Sequence, residues 1–349
     1  MDIREIARRA KVSAATVSRT INHVATVDPL LAKRVWKVID ELGYYPNTQA
    51  RALVSGRSRV FGLIVSEITN PFFPEIVQTF ENLAVQHNYE ILLTSTVHDP
   101  ERMVLSVRRM IERRVEGVAV LTFGMEEEVL RGMQYRNVPL VFVDVGPPAP
   151  RVSNIRIDYL HGIRQAVQHL AAFRHEHIAF VSGPLGLKSP AARQHAFHEA
   201  MQEIGLKADP ELMIEGNHTI EGGIGALAQL LDAANPPTAV MCSNDMTAIG
   251  VMHCAYERGI RIPDELSVIG FDDIRLAQYV LPALTTVQMS QMELGNLAFR
   301  ALLSDVQRET PAPKGTEYTL RTNLVLRDST GMVPGTGIQR GEKSKKTKT

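Results

Sequence analysis

The chain has 349 residues, 44% of them hydrophobic, with 38 basic and 38 acidic residues and 2 cysteines. That length exceeds what one core usually fills, so at least two domains are expected, and so few cysteines (Cys242 and Cys254) exclude a disulfide scaffold and suit a reducing cytoplasm. No apolar run approaches the ~18 residues of a membrane span, and the charged start MDIREIARRA does not resemble a secretory signal, so a soluble, cytoplasmic protein with no membrane partner is expected.

The neutral total conceals an asymmetry. Residues 1–60 hold eleven Lys and Arg against five Asp and Glu, a net charge of +6, which leaves −6 for the remainder. A basic head on an acidic body points to a polyanion partner for the head.

In that head, Ile3, Ile6, Ala7 and Ala10 recur at helical spacing, with Asp2 and Glu5 placed as a capping pair. Ser13 is a natural N-cap for a second helix, from Ala14 to about Asn22. A third starts at Asp28 with Pro29 in its first position and runs through Leu31, Val35, Val38, Ile39 and Leu42 to Gly43. Three short helices with a tight first connection form a helix-turn-helix plan. Val17 and Ile21 make the inner stripe of the second helix. Ser13, Ala14, Ala15, Thr16, Ser18, Arg19 and Asn22 are left for an outer face that is either solvated or read against DNA. Small residues admit a helix to the major groove, Arg19 can donate two hydrogen bonds to guanine, and the hydroxyls and amide suit phosphate oxygens. The basic balance and the flanking helices favour DNA.

The next stretch, YYPNTQARALVSGRSR (44–59), breaks at Pro46, can be capped by Asn47 or Thr48, and closes at Gly56. A helix over 49–55 is too short to persist alone, since isolated helices below roughly 12 residues are marginal in water. It orders only against something else, and Leu53 has no evident core.

From Val60 the pattern changes. VFGLIVSEI, EILLTST, GVAVLTF and LVFVDV, then HIAFVSG, AVMCSN and LSVIGFDD, are continuous apolar runs separated by amphipathic helical stretches. Such runs indicate parallel sheets covered on both faces, hence two α/β subdomains and a cleft. Ligands of open α/β sheets bind beyond the carboxyl ends of strands. Those ends carry Phe72, Phe73, Asp144, the stretch 183–193 with Ser189 and Arg193, Asn244, Asp245 and Asp272. Carboxylates, an amide and one Arg suit a polyhydroxyl ligand, and the two phenylalanines offer a face for a ring. Each polar residue has a rival role: Asn244 and Asp245 as helix caps, Asp272 as a strand-end cap.

Other chemistry is weak. The HEH at 175–177 and the pair His195 and His198 lack a third ligand at metal spacing. GGIGAL has neither a preceding strand nor the full glycine fingerprint of a dinucleotide site. No nucleophile and base are spaced for hydrolysis, so neither enzyme activity nor a cofactor is expected. The tail after Asp328, rich in Gly, Pro and Lys, is expected to be disordered and has no leucine heptads.

The segments DIREIARRAKVSAATVSRTIN, ELGYYPNTQARAL and SNDMTAIGVMHCAYERGIRIPDELSVIGFDD resemble the lactose/galactose repressor (LacI/GalR) family of bacterial transcription regulators, over about residues 2–328. The resemblance implies a hinge helix whose Asn47 and Arg51 contact DNA and whose Leu53 wedges into the minor groove to kink the operator; the rival for Leu53 is a loop residue packed on the body. It also implies ligand contacts at Asp144, Arg193, Asn244 and Asp272. Leu187 and Val145 are apolar where purine-sensing relatives contact ligand, Met289 stands where many members have a cleft glutamine, and Arg174 replaces a common turn glycine. The expected architecture is a helix-turn-helix domain (1–46), a hinge and linker (47–59), a ligand-binding and dimerisation domain (60–328) and a basic tail (329–349). The third domain resembles periplasmic binding proteins, one subdomain spanning about 60–158 plus 290–318 and the other about 159–289 plus 319–328. The expected function is a repressor that binds an inverted-repeat operator as a homodimer and responds to a sugar or sugar derivative. The alternatives on the same fold are a sugar-binding module without DNA binding and a sugar-processing enzyme.

Overall fold

The computed structural model describes residues 3–21, 24, 26–44, 57–122, 137–308 and 314–333. The expectations for Asp2, Asn22, Asn47, Arg51 and Leu53, and for the tail beyond 333, fall outside those residues. The chain forms two compact units, Met1–Arg59 and Val60–Thr349.

In the first unit, α1 (Ile3–Ala10), α2 (Ala14–Ile21) and α3 (Pro29–Leu42) enclose a small core of Ile6, Ala10, Val17, Ile21, Val35 and Ile39. Lys11 takes a left-handed φ of 51° and the Val12 N–H returns to the Ala7 carbonyl, which ends α1 and makes the connection tight. Ser13 Oγ caps α2 by accepting from Thr16 N–H at 3.0 Å. Asp28 caps α3 through Leu30 and Leu31 N–H, and Gly43 ends it at φ 57°. Asp2, the expected capping partner of Glu5, lies outside the described residues. The Glu5 carboxylate accepts from Arg8 and Arg9, which hold its pKa down to about 2.

The second unit contains two six-stranded sheets. The first consists of β1 (Val60–Val65), β2 (Glu90–Ser95), β3 (Gly117–Leu121), β4 (Leu140–Val143), β5 (Val152–Asp158) and β11 (Glu317–Arg321), all parallel, in the order β11-β5-β4-β3-β1-β2. The second is β12-β10-β9-β8-β6-β7, built from β6 (Ile178–Ser182), β7 (Met213–Glu215), β8 (Ala239–Cys242), β9 (Ser267–Asp272), β10 (Thr285–Gln288) and β12 (Asn323–Val325); only β12 runs antiparallel. Helices α4 (Phe72–Gln86), α5 (Pro100–Glu112) and α10 (Gln291–Gln307) cover the first sheet. Helices α6 (Tyr159–Ala172), α7 (Lys188–Glu203), α8 (Ile220–Leu231) and α9 (Asp245–Glu257) cover the second. Every residue of β3, β4, β6 and β8 is buried, as the continuous apolar runs require.

The chain passes between the sheets three times: after Asp158, between Gln288 and Gln291, and at Thr322. The third passage lies beyond the expected 318/319, because Glu317–Arg321 pairs along β5 through Arg321. The Thr322 hydroxyl ties two passages together, donating to the Asp158 carbonyl (2.7 Å) and accepting from Gly162 N–H (3.0 Å).

One local expectation is corrected. The tail does not leave the fold at 329: buried Ser329 donates to the Val268 carbonyl and accepts from Thr285 N–H. Beside it, His175 meets Thr238 Oγ1, the Gly331 carbonyl and Ser267 Oγ within 3.0 Å. These bonds hold 329–331 against the second sheet, and Val333 N–H donates to Phe173 O. Arg174, in place of a glycine, keeps the left-handed turn at φ 65°, with His175 N–H returning to the Leu170 carbonyl. His175 is thus a buried structural residue, and His195 and His198 are exposed on α7. Among the described residues no helix is long and apolar enough to cross a membrane.

Of the GGIGAL glycines, Gly223 has a helix-packing role, whereas Gly225 faces open space. A methyl on Gly223 of α8 would strike the Thr247 carbonyl, and one on Gly250 of α9 the Ile220 carbonyl, so the two helices touch backbone to backbone. Gly250→Ala should cost about 1–3 kcal/mol through overpacking, read as a lower urea midpoint at unchanged slope; an unaltered midpoint would show that the helices separate freely.

Candidate functional site

The first candidate surface is α2. Val17, Thr20 and Ile21 face the core, which exposes Ala14, Ala15 and Arg19 and leaves Thr16 and Ser18 half-buried. The i, i+4 pairs Ala14/Ser18 and Ala15/Arg19 share one side of the helix. Two alanines without bulk beside a long guanidinium make a face that can approach closely and still reach. Ser13 and Thr16 are partly occupied locally, since their hydroxyls lie 2.9 Å apart and Ser13 caps the helix.

The second is a cavity of about 440 Å³ within the larger unit, lined from the first sheet by Ser66, Phe72, Phe73 and Thr122 and from the second by Leu187, Ser189, Arg193, His218, Asn244 and Asp272. Every polar member sits beyond or near a strand's carboxyl end, where α/β sheets place their sites. Asp272 in this wall has a positive φ of 112°, and the strand-end residues Asp144 and Asp273 take 56° each. Of side chains other than glycine, Asp and Asn tolerate that region best, and strained residues gather where surroundings over-determine them.

Arg193 and Asp272 are both only 5% exposed, with Nη2 and Oδ1 3.3 Å apart. The guanidinium lies 4.0 Å from the Phe271 ring centroid and 5.4 Å from that of Tyr159, and Nη1 donates to the Ser243 carbonyl. Burial pushes the Asp272 pKa up to about 7, although Arg193 pulls the other way. Arg193 Nε, Asp272 Oδ1 and Thr122 Oγ1 are buried and have no hydrogen-bond partner among the described residues.

The other predicted polar residues are occupied by the protein itself. Asp144 accepts from Ile157 N–H and from the Tyr159 hydroxyl, which also meets Ser189 Oγ at 2.9 Å. Burial raises its pKa. Asp144 therefore stands behind Tyr159 and does not line the cavity. Asn244 caps α9 through Thr247 N–H and donates to the His218 carbonyl, while still forming part of the wall. Asp245 is fully buried, accepting from Thr286 Oγ1 and Ile274 N–H, and lies outside the cavity; burial drives its pKa well up. Met289 is also fully buried, in the core rather than the wall.

Sequence reasoning missed Thr122 and His218. Thr122 follows an apolar strand and carries no charge. His218 stands alone in a loop at φ 65°, its ring packed where a Cβ on Gly183 would be and its Nε2 2.6 Å from Ser243 Oγ. Burial, and secondarily Arg193, lower its pKa to about 3, so the ring is neutral. The small residue at Gly183, directly after an apolar strand, was the available signal.

Residues 2–47 match the model for bacterial regulatory proteins of the lacI family, and residues 167–330 match a periplasmic binding protein-like domain. The chain is 35% identical over 307 residues to the HTH-type transcriptional repressor PurR of Vibrio atlanticus (strain LGP32), covering 87% of this chain and 92% of that protein. It is similar in structure to the lac repressor dimer bound to operator and the anti-inducer ONPF, with a TM-score of 0.84 at 27% identity over 95% of this chain and 99% of that one. The transcriptional regulator CelR in its cellobiose complex gives 0.70 at 28% identity, over 94% and 99%. A helix-turn-helix with a close-approach face, two parallel sheets around a cavity, and this relationship along nearly the whole chain make the protein a member of the lacI family of bacterial regulatory proteins.

Proposed function

We propose that the chain is a ligand-responsive transcriptional repressor that binds an inverted-repeat operator as a homodimer and takes a sugar-like effector in the cavity between its two sheets. The observation that carries this reading is the pairing, in one chain, of the exposed Ala14, Ala15 and Arg19 face with a cavity walled by both sheets. Relatives are repressors, a lac repressor dimer has been seen on its operator, and CelR has been seen with cellobiose. None of this assigns a catalytic step to the cavity. A protein acting on operators works in the cytoplasm.

The mechanism follows from the connections. Three strands of chain join the sheets, so a ligand touching both walls changes their relative angle. In the proposed scheme Asn47, Arg51 and Leu53 of the segment 47–59 carry that change to the DNA, Leu53 as a wedge at the operator centre. A coupling of about 1–3 kcal/mol alters operator affinity roughly 5- to 150-fold. Effector contacts are assigned to Phe72, Phe73, Ser189, Arg193, Asn244 and Asp272; Asp144 acts through Tyr159, and Asp245 fixes the strand ends.

Genomic fragments selected by the full-length protein at near-physiological salt should share a palindrome; the absence of any enriched sequence would remove the DNA-binding reading. With that palindrome in hand, Arg19→Ala should relax preference at one base per half-site, by about 1–3 kcal/mol of discrimination, whereas equal losses on operator and scrambled DNA would argue against base readout. Arg193→Ala should abolish the response to the natural effector and keep operator binding; a variant that still responds places the effector elsewhere.

The Asp272 carboxyl gives a pH prediction. Its folded pKa of about 7 lies above its unfolded value near 4, so folding takes up a proton between them. Stability from this group is complete below about pH 4 and is lost as pH rises to 7. Asp272→Asn cannot ionise, and its stability relative to wild type should improve across that window by up to about 4 kcal/mol. A difference in urea midpoint that does not vary with pH would refute the coupling.

A further inference from the structure

At the amino edge of the first sheet, away from the cavity between the sheets, each of β1 to β5 is entered through a residue of left-handed φ. These are Arg59, Asn88, Arg114, Asn137 and Arg151, at 57°, 57°, 53°, 57° and 59°. Asparagine suits that backbone and arginine does not. At Arg151 the misfit is explicit: Val152 N–H donates to the Ala149 carbonyl at 2.9 Å, and Arg151 is third in the turn after Pro150, a position that favours glycine. Arg174 shows that such a φ alone assigns no role. The side chain does. Arg151 Nε is buried with no hydrogen-bond partner among the described residues, and Arg151 lines a cavity of about 270 Å³ with Asn137, Val138, Leu140, Pro150 and Val152. A guanidinium keeps its protons in proteins, so that N–H stays a donor in want of an acceptor.

We propose that this second cavity is an anion site that takes a phosphate group against Arg151 and Asn137. A guanidinium fork donates two parallel hydrogen bonds to an oxyanion, the Asn137 amide can add a neutral donor, and apolar walls keep water from weakening both. The volume lies below the range for whole ligands and suits one phosphate with a little of what bears it. Arg113 and Arg114, exposed at the entry of the neighbouring strand β3, extend the positive edge, and Glu116 beside them accepts from the Tyr89 hydroxyl at 3.0 Å. Those two arginines can equally offset the negative end of α5, which stops at Glu112. Arg151 precedes a strand and ends no helix, so it carries the assignment. The chain from the head joins the same edge at Val60, whose carbonyl accepts from Glu116 N–H at 2.8 Å. The phosphate can therefore come from a DNA backbone or from a phosphorylated small molecule.

The test compares the full-length protein with Arg151→Gln, which removes the charge, and with Arg151→Gly, which removes it while suiting a φ of 59°. Two readouts are taken: the phosphorus NMR line widths of inorganic phosphate and glycerol phosphate, and the affinity for a random-sequence duplex as salt is varied. Wild type should broaden a phosphate line, and both variants should lose that broadening. Arg151→Gly should unfold at no lower urea concentration than wild type, which separates the loss from misfolding. A slope of log affinity against log salt that is shallower by about 0.9 per protomer in both variants assigns the phosphate to the DNA backbone. Lost broadening at an unchanged slope assigns it to a phosphorylated small molecule. Line widths and slopes that match wild type in both variants overturn the site.

Discussion

A buried ion pair in the wall of a cavity is the interaction around which the larger unit is arranged. Taking Arg193 and Asp272 out of water costs several kcal/mol per ion, and their attraction offsets this only when further contacts complete the geometry. Those contacts come from every direction: Phe271 beneath the guanidinium, the Ser243 carbonyl at Nη1, Tyr159 alongside, and Gln291 donating to the Asp272 carbonyl. Tyr159 is held in turn by Asp144 at the end of the first sheet, so the pair is braced from both sheets. Two of its atoms are nonetheless left without hydrogen bonds, which a structural ion pair would be expected to complete.

The same economy explains why predicted site residues divide as they do. Polar residues beyond strand ends were correctly located by the sheet rule, but location does not reveal role. Asp144, Asn244 and Asp245 occupy those positions and spend most of their hydrogen bonds on caps and neighbouring backbone, since strand ends and helix starts leave orphan N–H groups. Only Asp272 keeps an acceptor open. A carboxylate that stabilises a turn and one that waits for a ligand read alike in one dimension.

The helices of the head and the seven apolar strands were legible because their signals are local: caps, periodicity and continuous apolar runs. The strands that escaped notice are β5, β7, β10, β11 and β12, in which apolar residues alternate with Ser, Asn, Thr, Glu and Arg. β11 and β12 are held by pairing with β5 and β10, more than a hundred and about forty residues away, and nothing in EYTLR or NLV announces that partner. The same blindness put the third passage between sheets a few residues early and released the tail at 329, where Ser329 and His175 in fact hold it. Arg174 shows the opposite: a non-glycine at a glycine-type turn is tolerated where the surrounding hydrogen bonds already fix the backbone.

The three passages between sheets also impose an order in time. The head is built from contacts within 44 residues and can form as soon as it leaves the ribosome. The first sheet cannot be completed then: β1 to β5 are present by Asp158, yet α10 and β11, which finish it, arrive only by Arg321. At about 5–20 residues per second that interval lasts roughly ten to thirty seconds. During synthesis the helix proposed to read DNA therefore exists well before the cavity proposed to govern it is complete, and a nascent or truncated chain carries the former without the latter.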